Sequence, residues 1–444
     1  MRAHGLADVP TNTGAASPDA DSAVILTDAR SYQDVSQSVC AKLGEKLWKP
    51  KPGNCKRATP ALPFSDYLKF DGKADGSSKF WVNSDSGSNA VDIAGRPSKA
   101  DSGSNSRLPG LCTNTAPYST QSFQNSTSQW QISLDVNGQT LTGYRDRLSF
   151  RFLGVRYAKQ PQRFTYSTLF KGSGEAASAL DYGSQCAQGS NSGSEDCHFL
   201  NVWTPYLPNP NSAPAKKNLR PVGFWIHGGG FTGGTANDPT FDGANIVSRG
   251  DMVMVAINYR LSTLGFLALK DGKTNGNFGI ADQITALEWV RANIQNFGGD
   301  PDRITIFGQS AGAGSVRALI ASPKAAGKFS SAILLSNLGG LGYGTSYSKY
   351  YTIDEEVSVA ANSILAATNC TSAASQVDCL RALPASTLTA LGGARYIVVD
   401  GTYITSSERT LTPSCSCPSF SCLGSVWEHL CSLAAPGTLQ TAKP

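Results

Sequence analysis

The chain has 444 residues, of which 40% are hydrophobic and 16% charged, and its formal net charge at pH 7 is +5. This length allows a full hydrophobic core, and so small a net charge excludes nucleic acid as an expected partner. No apolar run reaches the length of a transmembrane segment. The first ten residues, M-R-A-H-G-L-A-D-V-P, also lack the apolar stretch of a secretory signal.

The N-terminal part of the sequence divides into two segments. Residues 1–22 are rich in Gly, Pro, Ser and Asp, which predicts a disordered N-terminus. Residues 23–118 are expected to form a small cysteine-containing module, either an extension packed on the main domain or a unit of lectin-like order. Its three cysteines are Cys40, Cys55 and Cys112.

Two elements are predicted inside this N-terminal module. Val39, Leu43 and Leu47 recur at helical spacing, which predicts a helix over residues 38–48. Residues 79–82 contain an aromatic pair beside a valine, which predicts a strand.

Three consecutive glycines follow the apolar segment that begins at Pro221. The sequence from Pro221 to Phe231 is P-V-G-F-W-I-H-G-G-G-F, a short apolar stretch that ends in three consecutive glycines. Bare backbone N–H groups can approach a substrate closely at such a run, as an oxyanion hole requires.

The same run also fits a different site. Gly228, Gly230 and Gly233 match G-x-G-x-x-G, the pattern of a dinucleotide-binding loop. That pattern needs a helix directly after it, whereas residues 235–242 contain a proline and predict a loop. The oxyanion interpretation is therefore favoured.

The most informative segment, from Arg303 to Ile320, is R-I-T-I-F-G-Q-S-A-G-A-G-S-V-R-A-L-I. Its β-branched and aromatic residues predict a buried strand, and the apolar residues after it recur at helical spacing. Ser310 lies between Gly308 and Gly312, so the pattern predicts a nucleophile elbow, a strained turn that projects the serine hydroxyl above the sheet. Taken alone, G-x-S-x-G is a weak signal.

Further motifs make the pattern specific. They are S-E-D-C-H-F-L-N-V-W-T-P at 194–205, I-N-Y-R-L at 257–261 and N-F-G-I-A-D-Q at 277–283. With the glycine run and the elbow, in this order, the sequence resembles the type B carboxylesterase, cholinesterase and fungal lipase family over about residues 143–412. The resemblance implies an α/β-hydrolase domain over residues 119–412, an α/β fold with a doubly wound, mostly parallel sheet that is incomplete at its C-terminus.

The resemblance also implies a reaction and its residues. It implies hydrolysis of a small-molecule or lipid carboxylic ester, with no cofactor and no metal, through an acyl-enzyme on Ser310. The oxyanion would be bound by the backbone N–H groups of Gly229, Gly230 and Ala311. Gln309 stands where many relatives have a glutamate, so a negative charge that would favour cationic substrates is absent.

Pairs of residues with structural roles come from the same resemblance. It implies two disulfides, Cys186–Cys197 and Cys370–Cys379, and two ion pairs, Arg163–Glu195 and Arg260–Asp300. The cysteines and two glycosylation sequons, at Asn125 and Asn369, favour a secreted glycoprotein. His227 precedes the oxyanion glycines and is expected to be structural.

The catalytic acid and base are not identifiable in the sequence. In α/β-hydrolases they follow the serine, in the order acid then histidine, but the resemblance fails near Thr412. Residues 413–444 form a Cys/Ser-rich tail outside the family pattern, and His429 is the single histidine after Ser310. A zinc site and a translated intron or frameshift are both open for this tail, and the second is favoured.

Three functions follow as hypotheses. The first is a C-terminally truncated ester hydrolase of the carboxylesterase or lipase type, with the activity of this chain in doubt. The others are a catalytically inactive, cholinesterase-like interaction protein and a truncated product without function.

The resemblance and the apolar runs predict the arrangement of the core. Four neighbouring strands are expected in one sheet, at residues 224–226, 253–257, 304–307 and 332–335. Helices over about 280–297 and 311–321 are expected to cover it.

Overall fold

The computed structural model describes residues 24–49, 69, 74–83, 89–98, 100, 106–120, 123–208, 216–337 and 349–407. The predictions made for residues 1–22 and 413–444, including His429 and the tail cysteines, lie outside these residues, as does Cys55.

The strands are short except in the central sheet. In chain order they are β1 (Val24–Leu26), β2 (Lys79–Trp81), β3 (Ala90–Asp92), β4 (Pro97–Ser98), β5 (Leu111–Thr113), β6 (Gln131–Val136), β7 (Gln139–Arg145), β8 (Phe150–Arg156), β9 (Ala177–Ser178), β10 (Phe199–Thr204), β11 (Arg220–Ile226), β12 (Val253–Ile257), β13 (Gly299–Gln309), β14 (Ser331–Leu335), β15 (Tyr351–Thr352) and β16 (Val398–Val399).

Nine of these strands form the central sheet, in the order β14-β13-β11-β12-β10-β8-β7-β6, with β9 beside β7. The four predicted strands are confirmed as neighbours: β11 is parallel to both β12 and β13, and β13 is parallel to β14. Because β10, β8, β7 and β6 pair antiparallel, the sheet is mixed. The expectation that the sheet as a whole is mostly parallel was too broad.

The helices connect and cover these strands. The α-helices are α1 (Tyr32–Asp34), α2 (Ala244–Gly250), α3 (Ser262–Phe266), α4 (Phe278–Asn293), α5 (Ala311–Ala321), α6 (Ile353–Glu356), α7 (Asn362–Ala367), α8 (Gln376–Arg381) and α9 (Ala385–Ala390). Shorter 3₁₀ segments are Ala41–Leu43, Lys216–Asn218, Pro239–Phe241 and Ile294–Phe297, and π-helical segments are Val35–Val39 and Val357–Ala361.

The two predicted helices of the core are confirmed. The helix expected over 280–297 is α4 followed by the 3₁₀ turn Ile294–Phe297, and the one expected over 311–321 is α5. Helix α4 is buried along most of its length rather than on one stripe, which is typical of a helix inside a large core. None of the described helices is long and apolar enough to cross a membrane.

The N-terminal module departs from its prediction in one element. The strand expected over 79–82 is present as β2, but the continuous helix over 38–48 is wrong. The helical turns end at Leu43, and Gly44 adopts a left-handed conformation with φ 70°. Beyond it the backbone runs beside β5, where Trp48 N–H donates to the Leu111 carbonyl at 2.7 Å.

A disulfide closes this module internally, and a buried ion pair joins it to the central sheet. A disulfide joins Cys40 to Cys112, a pairing that the sequence analysis had left open. The fully buried carboxylate of Glu45 lies 2.5 Å from the Arg145 guanidinium on β7. Glu45 also accepts the Thr115 N–H at 2.7 Å.

Residues 349–407 form a second region that packs on the rest of the domain through a shared hydrophobic cluster. Strands β15 and β16 pair in parallel, and helices α6–α9 pack on this cluster, which includes Ile364, Leu380 and Leu388. The Asn277 carboxamide links this region to the start of α4, because it bonds both backbone groups of Val398, at 3.0 and 2.7 Å.

Candidate active site

Ser310 lies at the turn between β13 and α5. Its backbone angles are φ 57° and ψ −120°, a combination that a non-glycine residue rarely adopts and that costs about 1–3 kcal/mol. Hydrogen bonds on both sides of Ser310 fix the turn in place. Ser310 N–H donates to the Leu335 carbonyl at 3.0 Å, and its carbonyl accepts the Gly314 N–H at 3.0 Å. The result is a half-buried serine at the N-terminus of an 11-residue helix.

The glycines around the serine are required by space. A Cβ atom at Gly308 would lie 2.6 Å from the Gly312 carbonyl carbon and 2.7 Å from the Ile226 carbonyl oxygen, and one at Gly312 would overlap the same Ile226 oxygen. These contacts are shorter than a carbon–oxygen contact allows. The G-x-S-x-G pattern therefore follows from the tight packing of β13, α5 and the end of β11.

The glycine run at 228–230 lies directly against the serine. A Cβ atom at Gly228 would come within 3.2 Å of the Ser310 Cβ. Gly229 and Gly230 have φ 110° and 61°, which glycine adopts without steric cost. The Gly229 carbonyl accepts N–H groups from Thr232 and Gly233, both at 3.0 Å, so the run closes into a compact turn.

Two backbone segments thus lie beside Ser310, the glycine run and the start of α5. Gly229 is exposed and Gly230 half-buried on the loop, and Ala311 is the first residue of α5, where an N–H has no partner within the helix. The positive end of the helix dipole points to the same place. Chemically, this arrangement suits an oxygen that acquires negative charge beside Ser310.

The contacts of His227 do not place it to accept the Ser310 proton. Its Nδ1 lies 2.8 Å from the Gly228 carbonyl oxygen, which can only accept, so Nδ1 carries the proton. The ring stacks on Tyr259 with centroids 4.4 Å apart. Burial lowers the pKa of His227 to about 4, so the ring is neutral at pH 7. These contacts agree with the structural role expected from the sequence.

His198 is likewise engaged elsewhere. It is fully buried, its Nε2 lies 3.2 Å from Asp282 Oδ1, and its ring packs against Tyr157. Among the described residues, neither His198 nor His227 hydrogen bonds to the Ser310 hydroxyl.

One of the two predicted ion pairs is present. Arg163 binds Glu195 through two hydrogen bonds of 2.7 and 2.6 Å. The same guanidinium donates to the Arg381 carbonyl at 3.1 Å and to the Leu383 carbonyl, so it also joins this loop to the end of α8.

The other predicted ion pair is wrong. Arg260 pairs with Asp282, at 2.7 and 2.8 Å, instead of Asp300, and Asp300 pairs with Arg303 at 2.8 Å. Burial would raise the pKa of Asp282, but Arg260 and His198 hold it well below its usual value. Asp282 lies in the second turn of α4, which brings its carboxylate against the backbone and side chain of Arg260.

Both predicted disulfides, Cys186–Cys197 and Cys370–Cys379, are present, with Cα separations of 4.8 and 5.7 Å. With Cys40–Cys112, three disulfides occur among the described residues, a usage typical of proteins made in an oxidising compartment.

Gln188 was not singled out from the sequence. It lies in the polar loop closed by Cys186–Cys197, and its carboxamide reaches the glycine loop. Its Oε1 accepts the Gly234 N–H at 2.9 Å, and its Nε2 donates to the Gly234 carbonyl at 3.0 Å. Nothing in a Gly/Ser-rich stretch marks such a residue before the fold is known.

Comparison with known proteins agrees with this architecture. The model of the carboxylesterase family matches residues 132–407. The chain is 40% identical over 216 residues to a para-nitrobenzyl esterase of Bacillus subtilis, which covers 45% of this chain and 42% of that protein. It is 38% identical over 256 residues to esterase E4 of Myzus persicae, which covers 55% of this chain and 44% of that one.

A solved structure is similar as well. A carboxylesterase of Geobacillus stearothermophilus superposes with a TM-score of 0.54 and 34% sequence identity, over 62% of this chain and 57% of that one. An α/β fold with a serine turn facing a glycine loop defines a class of hydrolase-like proteins. Within that class, this chain belongs to the carboxylesterase family. The chain spans less than half the length of the two curated relatives.

Proposed function

We propose that this protein is a carboxylic ester hydrolase in which Ser310 forms the acyl-enzyme. The observation that carries the proposal is the strained Ser310 turn packed directly against the Gly228–Gly230 run. In such a reaction the Ser310 oxygen attacks the ester carbonyl, the alcohol leaves, and water then releases the acid. The N–H groups of Gly229, Gly230 and Ala311 bind the oxyanion in both steps.

The substrate class follows from the charge beside the serine. Gln309 is half-buried next to Ser310, and its Oε1 would lie 3.2 Å from a Cβ at Gly228. Because a carboxamide carries no charge, this position does not attract a cationic alcohol group. We assign neutral small-molecule or lipid esters as the substrates, with no cofactor.

The proton acceptor sets the expected rate. The described histidines are held by Gly228 and by Asp282, so a base for Ser310 would come from outside the described residues. Without one, the oxyanion hole alone supports roughly a thousandfold to ten thousandfold over the rate in water. This leaves an inactive interaction protein as the second candidate.

The test is hydrolysis of a short-chain p-nitrophenyl ester by the full chain and by Ser310→Ala. We expect an acetylated Ser310 peptide after acid quenching of the full chain and none in Ser310→Ala. Turnover should be slow and close to that of the variant, because neither described histidine serves Ser310. Absence of the acetylated peptide in the full chain would refute the proposal. Fast Ser310-dependent turnover would show that a base exists, and His429 would be the first residue to replace.

We also place the protein in the secretory pathway. Its three disulfides favour an oxidising compartment, and the sequon residue Asn369 is exposed at the end of α7. A loss of mass on enzymatic deglycosylation would test this assignment.

A further inference from the structure

The Gln188 carboxamide binds the glycine loop as a backbone strand would. Its oxygen accepts the Gly234 N–H and its nitrogen donates to the Gly234 carbonyl, at 2.9 and 3.0 Å. The same nitrogen donates to the Cys186 carbonyl at 3.0 Å. Both polar ends of the side chain are therefore used, and two of the three bonds reach a single residue of the loop.

Gly234 directly follows the residue that closes the loop. The Gly233 N–H donates to the Gly229 carbonyl at 3.0 Å, and Gly234 is the next residue along the chain. Gly234 has φ 104°, and a Cβ atom there would come within 2.5 Å of His227 Nδ1. A shift of Gly234 would thus move the turn that holds the proposed oxyanion donors.

Gln188 itself is fixed on the opposite side. It follows Cys186, which is bonded to Cys197, by two residues. Its own backbone pairs with Ser192, at 2.9 and 3.3 Å, and Thr389 on α9 donates to the carbonyl of the next residue, Gly189, at 2.5 Å. The carboxamide therefore projects from an anchored hairpin rather than from a free loop.

We propose that Gln188 is a positioning residue for the oxyanion hole, which it aligns with Ser310 through Gly234. This inference rests on the proposed ester hydrolysis. Gln188 does not touch the substrate in this account; it restricts the loop whose N–H groups do. Because one misplaced oxyanion donor costs about a hundredfold to a thousandfold in kcat, a loosened loop should cost part of that factor.

The experiment compares Gln188, inside the disulfide loop, with Gln185, which directly precedes it. Gln185 is also half-buried, but its Nε2 donates to Ser192 at 2.5 Å, inside the loop. We expect Gln188→Ala to lower kcat about tenfold to a hundredfold, with a change in KM below about threefold. Gln185→Ala should keep kcat within about twofold of the unchanged protein.

Two further measurements separate positioning from folding. The affinity for a trifluoromethyl ketone, whose serine adduct carries an oxyanion, should fall with kcat/KM in Gln188→Ala. The isosteric Gln188→Glu keeps an acceptor for the Gly234 N–H but opposes the Gly234 carbonyl with a carboxylate, and it should show the same loss. Equal kcat in the Gln188 and Gln185 variants, or equal losses in both, would overturn the inference.

A readout without turnover distinguishes this inference from the proposed function. Amide hydrogen exchange of peptides that cover residues 228–235 should be faster in Gln188→Ala than in Gln185→Ala, at unchanged exchange in β13. If no ester is hydrolysed but the exchange differs in this way, the function is wrong and the role of Gln188 in the loop stands. Identical exchange in both variants would refute that role.

Discussion

Two side-chain carboxamides, in different regions of the molecule, each bond both backbone groups of a distant residue. Gln188 bonds the N–H and carbonyl of Gly234, and Asn277 bonds the N–H and carbonyl of Val398. Gln188 is half-buried and fixes a loop beside Ser310, whereas Asn277 is fully buried and fixes the region 349–407 to the start of α4.

The difference in burial gives the two carboxamides different roles, one in positioning a loop and one in stability. Water can replace a lost hydrogen bond at a half-exposed carboxamide. Its removal therefore leaves the free energy of unfolding nearly unchanged, and the main effect is a less fixed loop. At a buried carboxamide, the abandoned N–H and carbonyl stay unpaired, so its removal costs stability. Gly308 and Gly312, beside Ser310, are also packed too tightly for a methyl group, while Gly393 in the region 349–407 meets only side-chain atoms at 3.3 Å or more.

The largest expected effect tests this difference in packing. Gly312→Ala should destabilise the protein by roughly 4 kcal/mol or more, because the new methyl group overlaps the Ile226 carbonyl. Gly393→Ala, in the region 349–407, should change the free energy of unfolding by less than about 1 kcal/mol, since the flexible Ile364 side chain is its nearest neighbour. Urea denaturation of both variants measures the contrast.

A control for this comparison lies in the same helix. A Cβ atom at Gly314 would meet only the Phe231 ring, at 3.5 Å, an ordinary contact. Gly314→Ala should therefore be neutral or stabilising, because alanine favours helix. Comparable losses in Gly312→Ala and Gly314→Ala would contradict the steric explanation.

The next effect tests the two amides. Asn277→Ala should cost about 3 kcal/mol, because it leaves two buried backbone groups of Val398 unpaired and places alanine at φ 57°. Gln188→Ala should cost about 1 kcal/mol or less. Chemical denaturation gives both values, and Asn277→Gly, which tolerates the backbone angle, separates the lost bonds from the strain. A Gln188 variant less stable than the Asn277 variant would reverse the assignment.

The smallest effect depends on pH. Glu356 is fully buried in the region 349–407, and its carboxylate has no described hydrogen-bond partner. Burial raises the pKa of Glu356 to about 9, although Arg395 opposes the shift. A pKa raised by folding stabilises below the unfolded value near 4.5, and this contribution is lost as the pH rises toward 9.

Glu356→Gln, which cannot ionise, should therefore melt at a higher temperature than the unchanged protein at pH 8, by roughly 2–4 °C. At pH 5 the two proteins should melt together, because the buried glutamate is then neutral. A melting temperature difference that is the same at both pH values would show that Glu356 does not titrate in this way.

Much of the site was predictable from the sequence because it is local. The elbow needs a strand, two glycines and a helix in one run, and the structure places Ser310 at that turn. The partner of Arg260 was not predictable in this way. Both Asp282 and Asp300 follow Arg260 in the sequence, so either could pair with it. The packing of α4 places Asp282 against Arg260 and leaves Asp300 to pair with Arg303.

The helix predicted over 38–48 failed for a related reason. Its apolar spacing fits a helix, but Gly44 ends the turn, and the residues after it pair with β5. There Glu45 meets Arg145, and Leu47 forms a bridge with Cys112. These long-range contacts outweigh helical periodicity, which records only neighbours along the chain. Gln188 was missed for the same reason, because its carboxamide bonds Gly234, 46 positions away in the sequence.

The Glu45–Arg145 pair has a consequence for what counts as the domain. Arg145 is buried on β7 within the family-matched span of residues 132–407, yet its carboxylate partner comes from residue 45, far outside that span. A buried guanidinium left without its counter-charge is strongly destabilising, by about 3–5 kcal/mol. The residues that keep Arg145 paired therefore extend beyond the family-matched span into the N-terminal module.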